Sequence, residues 1–306
     1  MTESTPNHAT PRPGPIDRTS IARGGVSHDC PPTLDDQGVI DFCRSGYLIL
    51  PGVVSDEINR RVVDYLDDVD DSAGPDLTKT DWFVDGVFKN PQAAGAVRSL
   101  LGRDYLLPVR IANHRGPLPC PDTGGWHRDA GAIYTPALDY LQVFYYPEAC
   151  TEAMGPTEVL PGSHFVRTKH NMMSHFGKIA GAVSTACVAG TIFVTVYGIW
   201  HRRTRATSGP TGRSAFRNLL KYDYWRTTAP TRDWITEPPI DIGAVDFSPP
   251  DDRAMFEQGQ GAIAAAGMFA WLSGVDEQYL KLGGQCWPLG PIGMPEALHG
   301  AARKRS

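Results

Sequence analysis

No apolar run in the sequence approaches the roughly eighteen residues that a membrane helix needs, so neither a spanning segment nor a membrane partner is expected. The opening MTESTPNHATPRPGPIDRTS lacks the apolar stretch of a secretory signal, and a cytoplasmic location is the expectation. There is no excess of positive charge either. Lys and Arg number 29 against 34 Asp and Glu, for a net charge of -5, and the two signs are mixed along the chain. That excludes the basic stripe of a nucleic-acid binder; Arg303-Lys304-Arg305 is too short for one and reads as a solvated tail. The six cysteines (Cys30, Cys43, Cys120, Cys150, Cys187 and Cys286) include no Cys-x-x-Cys pair. They read as scattered thiols of a reducing compartment, with no nucleophile context around any of them. No internal repeat is present.

What remains is a chain of 306 residues, 41% hydrophobic, long enough for one large domain. Residues 1–32 are rich in Pro, Thr, Ser and Gly and read as a disordered tail. A helix capped by Thr33 then leads through Val39, Ile40 and Phe42 to a short strand, Gly46–Leu50, ended by Pro51-Gly52. Ser55 caps a second helix with Ile58, Val62, Tyr65 and Leu66 at helical spacing. From about residue 105 short β-rich runs alternate with Gly/Pro breaks: 106–112, 133–134, 140–146, 157–160, 187–188, 191–201 and 214–224. In 191–197, Ile192, Val194 and Val196 fall on one face and Thr191, Phe193, Thr195 and Tyr197 on the other. Helices first and strands later predict one α+β domain, mainly β in its core, over 33–290. The core occupies about 105–226 and a helical segment lies within 227–290, with 291–306 a tail. Segments 72–90 (with Trp82, Phe83 and Phe88) and 227–290 are expected to cover the mouth of the β core and set specificity. The stretch 251–272 is an alternative dimer contact, so monomer and homodimer both stay open.

The chemistry concentrates in Gly124-Gly125-Trp126-His127-Arg128-Asp129. Residues i and i+2 of an extended segment share a face, so His127 and Asp129 can reach one metal ion. His201, at the end of the run 191–200, is the third ligand. Two imidazoles and one carboxylate form the facial triad that suits iron(II) and leaves positions open for a bidentate oxo acid and O2. The oxo acid's distal carboxylate needs a cation. A guanidinium matches a carboxylate bidentately, and Arg213, twelve residues past His201, is favoured because it is closer to the start of the next strand. Arg217 shares its face and competes for the role. His164 follows Pro161-Gly162-Ser163 and reads as a turn hydrogen-bonder, while His114, His170 and His175 read as structural or lining. Trp126, Tyr134, Phe144 and Tyr146 are pocket-lining or plain core. The Arg202-Arg203-Arg205 cluster reads as a solvated loop, with attraction of an anionic substrate as the alternative.

Taken in order, Gly125–Asp129, Leu141-Gln142-Val143, Gly155–His164 and Trp200-His201-Arg202, with the opening Phe42–Leu50, resemble the phytanoyl-CoA dioxygenase family of iron(II)/2-oxoglutarate oxygenases. The resemblance spans about residues 33–226. It implies a double-stranded β-helix (jelly-roll, cupin-like) core with flanking helices. His127, Asp129 and His201 would then hold iron and Arg213 the 2-oxoglutarate C5 carboxylate, with Gln142 and Thr157 as further oxo-acid contacts. The family often carries Asn and Ser after the distal histidine, where this chain has Arg202-Arg203-Thr204-Arg205. Asp129 argues against halogenation, which related enzymes achieve with a small residue in its place. The expected activity is hydroxylation of an unactivated C–H bond in a small molecule, in a secondary-metabolite pathway. Desaturation, epoxidation, ring closure and rearrangement are the same-centre alternatives, and a non-oxidative jelly-roll metal protein is the alternative of another class.

Overall fold

The structure is a computed structural model that describes residues 24–69, 76–129, 137–166, 173–208, 216–249 and 255–275. Its helices are α1 (Asp36–Ser45), α2 (Asp56–Asp68), α3 (Pro91–Leu101) and α4 (Met255–Leu272). Asp35, not Thr33, caps α1, because its carboxylate accepts from the Gly38 amide at 2.8 Å. Thr33 is drawn away to α3, where its amide donates to Gly95 O and Ser99 Oγ. Ser55 caps α2 as its sequence position predicts. Helix α1 stops at Gly46 in the left-handed region, φ 81°, where a Cβ would also collide with the His164 ring. That imidazole is buried, with Nε2 3.1 Å from Cys43 O, so this contact is to the end of α1 rather than to the turn that His164 follows.

Among the described residues the strands are β1 (Ser27–His28), β2 (Tyr47–Leu50), β3 (Tyr105–Leu106), β4 (Ala112–Asn113), β5 (Gly116–Pro117), β6 (Tyr140–Tyr146), β7 (Thr157–Val159), β8 (Val183–Ser184), β9 (Thr191–Val196), β10 (His201–Arg203), β11 (Phe216–Arg217) and β12 (Leu220–Trp225). The larger sheet runs β1-β3-β12-β6-β9-β2, with β4 also on β12. The second runs β10-β7-β8, and β11 pairs with β5. Every strand pair is antiparallel.

Period-two alternation gives the larger sheet two different faces. Leu141, Val143, Tyr145, Ile192, Val194, Leu220, Tyr222 and Tyr224 turn toward the helices and join one apolar core with Val39, Phe42, Val62, Val97 and Phe269. Phe144, Tyr146, Phe193 and Leu219 turn the other way and pack with Leu118, Cys150, Met154 and Ala206. Each large side chain fully buried in this way contributes about 1.5–3 kcal/mol.

Four expectations are corrected here. The tail does not extend to residue 32, since β1 pairs with β3 and Asp29 binds Arg98 at 2.6 Å. Segment 72–90 does not cover a mouth within its described part. Leu77, Phe83, Val87 and Phe88 are buried on the helical side, where Phe83 and Phe88 meet Tyr145, Tyr222 and Tyr224 edge-on or tilted. That aromatic outer face must be shielded from water, and these rings do it. Segment 227–290 likewise contributes Trp234, Ile242, Phe247 and α4 to the helical core, with α4 against α1. Finally, 191–201 is not one strand. A turn at Tyr197-Gly198 breaks it, so the chain leaves the larger sheet after Val196 and enters the second at His201.

The helical layer is tied together at Asp36, a buried carboxylate that accepts from Arg232 Nε at 3.0 Å and Trp234 Nε1 at 2.8 Å. Removing one partner strands the other charge. Asp36→Ala is therefore expected to cost about 3–5 kcal/mol in urea unfolding, while a surface change such as Asp85→Ala, which loses only the exposed Lys89 pair, costs under about 0.5 kcal/mol.

Candidate metal centre

His127 lies on an extended segment that meets the second sheet at a single antiparallel bridge, His127 to His201, closed by reciprocal backbone hydrogen bonds of 3.0 Å. Asp129 follows two residues later on the same face, and His201 opens β10. Potential ligand atoms of the three side chains all lie within 4.8 Å of one another. His201 Nε2 is 3.5 Å and His127 Nε2 3.8 Å from Asp129 Oδ1.

Each imidazole is oriented by its own backbone. His127 Nδ1 lies 2.8 Å from Gly125 O, and His201 Nδ1 lies 3.1 Å from Ile199 O. A carbonyl can only accept, so both Nδ1 atoms carry the proton and both Nε2 lone pairs face Asp129. Burial lowers the His201 pKa, and Asp129 opposes the shift without reversing it, so the ring stays neutral and able to ligate. Burial alone would raise Asp129, but His201 and Lys221 outweigh it and hold the carboxyl well below its usual range. The donor set thus fits a divalent metal: two imidazole nitrogens and one carboxylate oxygen on one side of a partly enclosed space.

Several solved structures are similar to this chain. HygX from Streptomyces hygroscopicus with nickel and 2-oxoglutarate bound aligns at TM-score 0.51 and 15% identity, over 66% of this chain and 90% of that one. HygX with iron bound aligns at TM-score 0.50 and 15% identity over the same shares. The fold is shared with HygX. No family model matches the sequence, and no curated protein matches it.

Lys221, which sequence reading missed, closes the site from β12. Its Nζ lies 2.7 Å from Asp129 Oδ2, 3.4 Å from His201 Nε2 and 4.8 Å from the centre of the Phe144 ring. Gln142 Nε2 donates to the same Asp129 Oδ2 at 2.6 Å, so Gln142 holds a ligand carboxylate, while its own Oε1 is buried without a donor. Thr157 is equally buried, by the Tyr146 hydroxyl that also meets Thr185 at 2.6 Å. Arg217 is buried near Tyr146 and Cys150; its Nη1 donates to Gly155 O, its Nε has no acceptor, and among the described residues no carboxylate pairs with it. Arg213, Tyr134 and His170 lie outside the described residues.

The arginine cluster after His201 is no solvated loop at its start. Arg202 is buried between Glu158, at 2.8 Å, and the Trp126 ring, and Arg203 donates to Pro117 O. Membership of β10 explains the burial. His114 lies within electrostatic reach of the triad; burial first, then the Lys221 ammonium, lowers its pKa to about 4. Asp223, also missed, is the direct cross-strand neighbour of Gln142. The signal was available: Lys221 and Asp223 alternate with Leu220, Tyr222 and Tyr224, which places charges on the inner face.

Two outcomes follow. Lys221 is the counter-charge of Asp129, so Lys221→Met is expected to lower metal-free stability by about 3 kcal/mol. Added nickel(II) or manganese(II) should restore the melting temperature, because the metal replaces the lost cation. Asp223 behaves oppositely. Burial, opposed by Arg110, raises its pKa from 3.8 to about 6, so ionisation works against folding. The loss sets in as pH rises above the unfolded value and is complete above the folded one. Asp223→Asn should gain on the order of 2 kcal/mol near pH 8 and nothing near pH 4, read by denaturation at the two pH values.

Proposed function

We propose that this chain is an iron(II)- and 2-oxoglutarate-dependent dioxygenase of the phytanoyl-CoA dioxygenase type, which hydroxylates an unactivated C–H bond of a small molecule. The observation that carries the reading is the convergence of both Nε2 lone pairs on Asp129, each imidazole fixed through Nδ1 by a carbonyl two residues before it. The fold shared with HygX, whose solved structures hold iron, nickel and 2-oxoglutarate, supports it. So does the path of the chain. It alternates between the sheets, with β6 in the larger, β7 and β8 in the second, β9 in the larger, β10 in the second and β12 in the larger. That winding favours a double-stranded β-helix as the core.

Bound at His127, Asp129 and His201, iron(II) with 2-oxoglutarate supplies oxidation by O2, with release of CO2 and succinate. The chain's own side chains prepare that chemistry. Gln142 holds Asp129 through Oδ2 and leaves Oδ1 toward the imidazoles. Phe144 stands 5.7 Å from the His201 ring and keeps water from that side. Lys221 pairs with Asp129 Oδ2, and a metal on Oδ1 would share that carboxylate's charge, while Arg217 has no carboxylate partner among the described residues. Two buried cations beside the triad suit a dianionic oxo acid. Arg213 is the proposed clamp for its distal carboxylate and Arg217 the competing one.

Purified protein with iron(II), ascorbate and 2-oxoglutarate should release succinate, and His127→Ala or Asp129→Ala should lower the rate at least about a hundredfold. Arg213→Ala should raise the KM for 2-oxoglutarate more than Arg217→Ala does. Absence of both succinate release and metal binding by the unsubstituted protein would sink the proposal.

A further inference from the structure

The inner face of the larger sheet is layered. Gln142 on β6 lies directly opposite Asp223 on β12 and Thr195 on β9, forming a polar row. One step along the same face, Tyr140 lies opposite Trp225, with the rings stacked at 4.5 Å and 14°. Tyr197 joins them, 5.0 Å from the Tyr140 ring. One step the other way lie Lys221, Phe144 and Phe193. Exposure orders these rows. Phe144 and Phe193 are buried, whereas Tyr140 and Tyr197 are partly open beside the buried Trp225, so the two tyrosines of the aromatic trio turn toward the solvent side of the site. The polar row lies between that trio and the deep end, and Gln142 ties it to Asp129.

Two acceptors in the polar row lack donors. Gln142 Oε1 and Asp223 Oδ1 are both buried and without a hydrogen-bond partner. The Gln142 amide cannot turn over to relieve this, because its oxygen would then face the Asp129 carboxylate. Thr195 offers no help, since its hydroxyl donates to Gln142 O. Arg110, which acts on Asp223 electrostatically, is exposed and makes no hydrogen bond to it. Each unfilled acceptor costs about 1–3 kcal/mol, and more when charged. A deprotonated oxo acid cannot fill them, because it has no N–H or O–H to give. What fits is a donor that is also positive, delivered beneath aromatic faces.

We propose that Asp223 and Gln142 Oε1, roofed by Tyr140, Trp225 and Tyr197, form the recognition subsite for a protonated amino group of the small-molecule substrate. The proposal rests on the oxygenase reading of the triad, because it is the triad that the bound amine would face. The ammonium donates to both acceptors, and an adjoining ring or carbon skeleton packs on the aromatic trio. Asp223 then selects among substrates without touching the metal.

The test uses three probes of matched shape: benzylammonium, benzyl alcohol and benzoate. Each is titrated by NMR into the full chain loaded with nickel(II) and 2-oxoglutarate, and binding of the metal and the oxo acid is recorded in the same samples. The unsubstituted protein should prefer benzylammonium to benzyl alcohol by about tenfold, the scale of one charge-assisted hydrogen bond, and should reject benzoate. Asp223→Asn should erase the preference, Asp223→Glu should keep part of it, and Tyr140→Ala should weaken ammonium and alcohol together. Circular dichroism checks that each variant is folded. Equal binding of ammonium and alcohol, a preference for alcohol, or a preference that survives Asp223→Asn overturns the proposal. Failure to bind metal or oxo acid instead counts against the oxygenase reading, and the probes are then titrated into the metal-free chain, where the same preferences decide the subsite by itself.

Discussion

The carboxylate of Asp129 is the point on which both sheets converge. Gln142 reaches it from β6, Lys221 from β12 and His201 from β10, while the backbone that carries it is stitched to β10 at the His127–His201 bridge. An ionised carboxylate can only accept, and here it accepts from Gln142 and Lys221, both of them buried. Displacing it would leave an ammonium and an amide in a low-dielectric space without partners, at a cost of several kcal/mol. The spacing between the sheets, the direction of the imidazoles and the ionisation of the ligand oxygen therefore depend on one another.

Charge inside the core is sorted by depth. Arg217 and Lys221 lie toward the buried end, with Tyr146, Cys150 and Phe144 around them; Asp129 comes next, and Asp223 lies nearest the aromatic rim. This ordering places positive charge where a dicarboxylic co-substrate would extend and negative charge where a substrate would enter. It also separates two recognition tasks that share one small volume. A cationic substrate would meet Asp223 first, and an anionic co-substrate would meet Lys221 and Arg217.

The triad was legible in the sequence because ligand chemistry and strand geometry constrain the same residues: His127 and Asp129 at i and i+2, and a histidine after an alternating run. The alternation in 191–197 also read correctly, with Ile192 and Val194 in the helical core and Phe193 in the inner one. The misreadings have a common cause. Phe83, Phe88 and α4 are apolar, but whether an apolar segment covers a mouth or the outside of a sheet depends on which face its partner presents. That face is set by Tyr145, Tyr222 and Tyr224, distant in sequence. Lys221 and Asp223 were missed for a related reason. Their meaning comes from cross-strand neighbours, Phe144 and Gln142, which register alone brings together. Thr33 lost its cap role to Asp35 because helix α3 claims its backbone, a contact between residues far apart in the chain.

Gln142 gives the site its particular constraint. Its Nε2 fixes the carboxylate of the candidate metal cluster, and its Oε1 lies beside Asp223. One side chain thus couples metal geometry to whatever occupies the mouth, and a change at Gln142 perturbs both at once. Asp223 touches neither imidazole and is not hydrogen-bonded to Asp129, so it is the position at which the mouth can change without moving the metal. An unpaired buried carboxylate is a stability loss that a purely structural strand position would shed through a single change to Asn or Thr. Its place beside an equally unfilled amide oxygen and under stacked rings accounts for that loss as a cost of binding. The stability gained and the recognition lost on neutralising Asp223 must then come from the same carboxylate.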